Sequence, residues 1–193
     1  RSLGLGNINY AQADIMSLDS GGSVHMFDLI EAVGVLHHLR NPLAGWRKLL
    51  ALLRPGGFMR LGLYSARARR NETEARQFIA EHGYKANPEG IRRCREVLAT
   101  GENAVRFRHV LSARDFYTMS ECRDLLFHVQ EHCFTLLQLK DNLRELDLAF
   151  IGFLLDTEVI KRYAKQFPHD APQTDLDSWH AFEAANPETF TGM

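Results

Sequence analysis

Three short stretches of this 193-residue sequence carry side chains able to hold a small molecule and act on it. Ala13-Asp14-Ile15 sets a carboxylate beside a bulky apolar residue. The carboxylate can accept hydrogen bonds from an exocyclic amine or a ribose hydroxyl, and Ile15 can cover a purine face. Phe27-Asp28-Leu29-Ile30-Glu31-Ala32-Val33-Gly34-Val35-Leu36-His37-His38-Leu39 runs from an apolar segment into a glycine and a histidine pair. The backbone after Ala32 can contact a ligand's polar tail, and Gly34 permits close approach. His37, His38 and the later Tyr64 are groups that could take up a proton. The third stretch, Leu52-Leu53-Arg54-Pro55-Gly56-Gly57-Phe58, has the composition of a turn between a helix and a strand.

These residues need elements to position them. Ile8, Tyr10 and Ala11 lead into Asp14 and predict a short strand over 8–13, with Asp14 at its end. The run Phe27–Val33 predicts a strand buried on both faces. Pro42 suits a helix start, and Leu43, Trp46, Leu50 and Leu53 recur at helical spacing. Arg54-Pro55-Gly56-Gly57 is expected to stop that helix, and Phe58–Tyr64 to form the next strand. Strand, helix and strand in this order imply a βαβ crossover and a parallel sheet. Ligands of such sheets bind beyond the carboxyl ends of the strands, where Asp14 and the Ala32–Val35 turn fall.

The remainder predicts helices. Ala75, Phe78, Ile79 and His82 share one face, as do Ile91, Cys94 and Leu98. Cys122, Leu125, Leu126 and Val129 form a third stripe, and Leu136, Leu139, Leu143 and Leu146 a fourth, with Ser120 and Thr135 as expected N-caps. Leu148–Leu154 predicts a late strand returning to the sheet. Two helices follow near 157–166 and 175–185, the second opened by a capping box from Thr174 to Asp177. A boundary is expected near 65–72, dividing residues 1–66 from a helical region 67–193.

The net charge of −1 conceals a division. Residues 40–114 carry sixteen Lys and Arg against six acids, while residues 115–193 carry six against fourteen. A basic block can attract an anionic substrate or nucleic acid. The favoured reading is a solvated face neutralised by the acidic C-terminal third. No apolar run approaches the roughly 20 residues that span a membrane, so no membrane association is expected. Three cysteines without CxxC spacing argue against a disulfide framework or zinc ribbon and fit a reducing cytoplasm.

The three stretches, at this order and spacing, resemble the class I S-adenosylmethionine-dependent methyltransferases, over roughly residues 5–65. "ADI" is similar to that family's adenine-contacting acidic motif, "FDLIEAVGVLHHL" to its fourth-strand motif, and "LLRPGG" to its turn before the fifth strand. More loosely, "SECRDLLFHVQEH" and "TDLDSWHAFEAANPETF" resemble the C-terminal half of bacterial members sometimes joined to tetratricopeptide repeats. The resemblance implies a partial Rossmann-like α/β fold with a mostly parallel sheet and a large helical C-terminal half. It implies S-adenosylmethionine as cofactor and methyl transfer to an unidentified acceptor, which the basic block allows to be anionic. Asp14 would bond the adenine amine and Ile15 pack on the ring; Ala32, Val33 and Gly34 would line the methionine end, with His37 and His38 at the pocket's edge.

The family's glycine-rich loop and ribose-binding acid are not among these residues. Leu3-Gly4-Leu5-Gly6-Asn7 has no strand before it and is read as a connection into the first strand. The sequence therefore reads as a fragment, clipped at both ends, that in isolation is inactive and binds cofactor weakly or not at all. A non-catalytic methyltransferase-like interaction module is the alternative, and nucleic-acid binding by the basic block a weaker one. Two patterns are set aside. His128-Val129-Gln130-Glu131-His132 matches an HxxEH metal pattern but lacks an evident third ligand, and is read as a helix end where histidine suits the dipole. An ExxEH metal motif would need carboxylates where Gly34 and His37 stand. No metal is expected, no GxSxG nucleophile motif is present, and no catalytic residue is assigned.

Overall fold

A computed structural model describes residues 6–18, 27–128 and 130–192. The Arg1–Leu5 end of the glycine-bearing stretch and Val129 of the third stripe lie outside the described residues. The fold is mixed α/β.

Its organising unit is β1 (Phe27–Val33), α1 (Pro42–Leu50) and β2 (Leu53–Gly62), with β1 and β2 paired in parallel from Leu29↔Phe58 to Val33↔Gly62. Asn41 caps α1 by accepting from the Ala44 amide at 3.0 Å, and Pro42 occupies the first turn, where no amide donor is needed. The helix stops at Leu50, before the Pro-Gly-Gly segment, and β2 begins at Leu53 rather than Phe58. The chain absorbs Arg54–Gly57 as an irregularity: Phe27 pairs with Leu53, but Leu29 pairs with Phe58.

β1 is not buried on both faces. Ile30 and Ala32 join Trp46 and Leu49 of α1 in one apolar cluster, but Phe27, Leu29 and Val33 are exposed, Leu29 at 59%. The reason is that α1 covers one face and, among the described residues, β1 pairs with β2 alone. The predicted strand over 8–13 does not form. Residues 8–14 are irregular, Tyr10 is 89% exposed, and Asp14 caps a 3₁₀ turn (Ile15–Ser17) that packs on α1. A strand needs a partner, and none of the described strands runs beside this segment.

After β2 comes the two-residue β3 (Tyr64–Ser65). Next are α2 (Arg70–Glu81), α3 (Pro88–Leu98), α4 (Gly101–Arg106), α5 (Arg108–Ser112) and α6 (Met119–Phe127). The predicted stripes fill a second core, in which Ala75, Phe78, Ile91, Cys94, Leu98 and Cys122 are buried. Thr118, not Ser120, caps α6, because its hydroxyl reaches the Glu121 amide at 3.2 Å.

β4 (Cys133–Phe134) pairs in parallel with β3. α7 (Leu136–Glu145) opens with the expected Thr135 cap, completed as a capping box by Gln138. Its Leu139 and Leu143 return to the β1–α1 cluster, so residues after 67 pack directly on the βαβ unit. α8 (Thr157–Gln166) and α9 (Leu176–Ala185) build a third core around Tyr163 and Trp179, whose rings stack 3.6 Å apart. Asp175, not Thr174, caps α9, accepting from the Asp177 amide at 3.0 Å.

The predicted late strand at 148–154 also fails to form. Phe150 and Phe153 turn into the third core, while Ile151 and Leu154 face solvent, Leu154 at 77% exposure. The alternation slips at Ile151-Gly152, both exposed, and no described strand pairs with the segment. Among the described residues no helix is long and apolar enough to cross a membrane.

Candidate functional site

The carboxyl ends of β1 and β2 bring Gly34, His37, His38 and Tyr64 together. Gly34 adopts φ +74°, a left-handed conformation open to glycine, and its amide reaches the Gly62 carbonyl at 3.4 Å. The chain then tightens into a 3₁₀ turn (Leu36–His38) that buries Leu36 and His37 completely. Ala32 is buried beneath this turn and Val33 remains exposed beside it. Ile15 shares the apolar cluster that holds Ala32 and Leu36. The Asp14 carboxylate is exposed and accepts the Met16 amide at 2.9 Å, so it already serves as a cap.

The histidines of the 128–132 stretch join this site, although not as a helical pair. α6 ends at Phe127, and His128 is extended. The ring of His128 stacks on that of His38, 4.1 Å away and tilted by 29°. His38 Nδ1 lies 3.1 Å from the Gln130 carbonyl, and the His132 amide donates to the His37 carbonyl at 2.8 Å. The Gln130 side-chain amide donates to the Leu39 carbonyl at 3.4 Å and to His132 Nε2 at 3.2 Å. Among the described residues no group of three or more His, Cys, Asp and Glu is arranged to hold a metal ion.

Partners fix the neutral tautomers of three of these rings. A carbonyl only accepts, so His38 carries its proton on Nδ1. The Gln130 backbone amide donates to His128 Nδ1 at 3.3 Å, leaving the His128 proton on Nε2. The Gln130 side-chain donor leaves the His132 proton on Nδ1.

Charged groups ring the cluster. Arg69 lies over the Tyr64 ring, its guanidinium carbon 3.6 Å from the centroid, and pairs with Glu72 at 3.6 Å. Arg76 binds the buried Glu131 carboxylate, and the Cys133 thiol points at the same carboxylate from 3.9 Å. Burial, then His38, push the His37 imidazole down to about 4, with Arg69 adding and Glu131 opposing. Burial also raises the Tyr64 hydroxyl, against the opposing Arg69. Burial followed by Glu131 raises the Cys133 thiol, so it is a poor nucleophile at neutral pH. A shallow cavity of about 220 Å³ opens alongside, between Asn41, Pro42, His132, Phe134 and Gln138.

Sequence reading missed Arg69, Arg76, Gln130 and Glu131 as parts of this site. Gln130 lies 92 residues from His38 and Glu131 lies 55 from Arg76, and no local pattern links such separations. The basic block is partly neutralised as expected: Arg47, Arg67, Arg70 and Arg76 pair with Glu145, Glu183, Glu188 and Glu131. No protein-family model matches the chain.

Proposed function

We propose that this chain supplies one wall of an S-adenosylmethionine-dependent methyl-transfer site of Rossmann-like type. The observation that carries the reading is the parallel β1–α1–β2 unit, with Gly34, His37, His38 and Tyr64 gathered at its carboxyl ends. The residues are compatible with the cofactor. The Asp14 carboxylate is exposed beside Ile15, and Val33 is exposed next to the left-handed Gly34. When bound, S-adenosylmethionine supplies an electrophilic sulfonium methyl. Asp14 would accept from the adenine amine, Ile15 would flank the ring, and the Ala32–Gly34 backbone would line the methionine end. The protein's part is to align donor and acceptor, which is worth several kcal/mol of barrier.

The test is an NMR titration of the 193-residue chain with S-adenosylhomocysteine. The amides of Asp14, Ile15, Ala32, Val33 and Gly34 are expected to shift together, with weak affinity because no glycine-rich strand–loop–helix motif lies in the sequence. No shifts there, or low-micromolar binding elsewhere, would overturn the reading. A second reading, a methyltransferase-like interaction module, rests on the open apolar face formed by Phe27, Leu29, Val33 and Phe58. It requires that the same titration leave those amides unmoved.

A further inference from the structure

The Nε2 atoms of His37 and His38 lie 3.1 Å apart, so one must donate and the other accept. We propose that the two rings act as a single proton-binding unit that fastens the turn after β1 to residues 128–132. This inference stands apart from methyl transfer, since it depends only on the hydrogen-bond pattern.

In the neutral unit, His38 donates from Nδ1 to the Gln130 carbonyl, so its Nε2 accepts from His37. His37 then carries its proton on Nε2, and its Nδ1 is a bare lone pair. That atom is buried without a hydrogen bond. Uptake of one proton reorders the row. His38 becomes imidazolium and donates from both nitrogens, to Gln130 and to His37 Nε2. His37 stays neutral but shifts its own proton to Nδ1, because its Nε2 must now accept from His38. One proton is gained, and the bonds that His38 makes to Gln130 and to His37 both become charge-assisted.

The surroundings select His38 as the charged ring. Protonating His128 would abolish its bond from the Gln130 amide, and protonating His132 would abolish its bond from the Gln130 side chain. Charge on His37 is opposed by complete burial and by Arg69. Charge on His38 is met by the face of the His128 ring. The other charged or titratable groups around the pair are Tyr64 on β3, Glu72 and Arg76 on α2, Asp124 on α6, and Glu131 and Cys133 on the facing segment. Glu131 favours a positive pair, while Arg69 and Arg76 hold its carboxylate in place.

Long-range ¹⁵N–¹H spectra of the 193-residue chain, recorded from about pH 8 to about pH 5, report the protonation of each imidazole nitrogen. His38 is expected to pass from the Nδ1–H form to imidazolium, and His37 to change from Nε2–H to Nδ1–H with the same midpoint. The His132 amide, bonded to the His37 carbonyl, should gain hydrogen-exchange protection over the same range after correction for intrinsic rates. The proposal fails if His37 keeps its tautomer while His38 titrates, if His37 itself becomes charged, or if His128 or His132 takes the proton first. In His38→Gln the His37 tautomer should no longer depend on pH; a persisting change would also overturn the unit. If that variant does not fold, the wild-type titration decides alone.

Discussion

Arg76 on α2 grips Glu131 through two parallel bonds, Nη1 to Oε1 at 2.7 Å and Nη2 to Oε2 at 3.0 Å. The same guanidinium donates to the Leu125 carbonyl at 2.6 and 2.9 Å. One side chain thus satisfies the end of α6 and anchors the segment that meets the histidine pair. Burial alone would raise the Glu131 carboxyl; Arg76, then Arg69 and His37, outweigh it and hold the carboxyl below its usual range. Replacing Arg76 by Met is expected to cost about 3 kcal/mol in urea unfolding, because a buried carboxylate and a carbonyl lose their donors. In the folded variant the Glu131 carboxyl should titrate at higher pH, read by ¹³C NMR.

Ser65 ties β3 to α9. Its hydroxyl donates to the buried Glu183 carboxylate and accepts from the Arg67 and Ala68 amides at 3.1 and 3.2 Å. Ser65→Ala leaves the carboxylate and two amides short of partners, and about 2 kcal/mol of stability should be lost. Thermal unfolding followed by Trp fluorescence measures this, since Trp179 lies in the same helix as Glu183.

Asp170 governs acid stability in the third core. It accepts from the Tyr163 hydroxyl at 2.5 Å and from the Thr174 and Asp175 amides at 3.1 and 3.0 Å. Burial pushes its carboxyl up, but these bonds prevail and hold it below the ordinary 3.8. A carboxyl depressed in the folded state binds its proton first in the unfolded chain. Its stabilisation is therefore present above the unfolded value and lost as pH falls through the lower folded one. Asp170→Asn should cost about 1–3 kcal/mol at neutral pH and flatten this acid dependence below about pH 4.

Gly62 allows β1 and β2 to approach at the end that carries the site. A Cβ there would lie 2.6 Å from Val33 Cγ1 and 3.0 Å from Val33 Cα, and the second contact is backbone. Gly62→Ala is expected to cost about 1–3 kcal/mol and to shift the Val33 and Gly34 amides, measured by denaturant midpoint and NMR.

The sequence alone determined the local elements. Period and punctuation located β1, α1 after Pro42, the stripes of α2, α3, α6 and α7, and the last two helices, because these signals act within a few residues. Asn41-Pro42 and Thr135 with Gln138 became caps because the groups that satisfy them are neighbours in the chain. Tertiary structure decided the rest. The apolar residues at 8–11 and 148–154 have strand composition, but a strand exists only where another can share its hydrogen bonds. The same limit explains why β1, read as buried, keeps one open face. His128 and His132 looked like one helical pair; the end of α6 at Phe127 turned them into partners of His37 and His38 instead. Spacing revealed which residues could carry protons. Only the fold, by aligning one carbonyl, one buried imidazole and one glutamine across 92 residues, set which nitrogen holds each one.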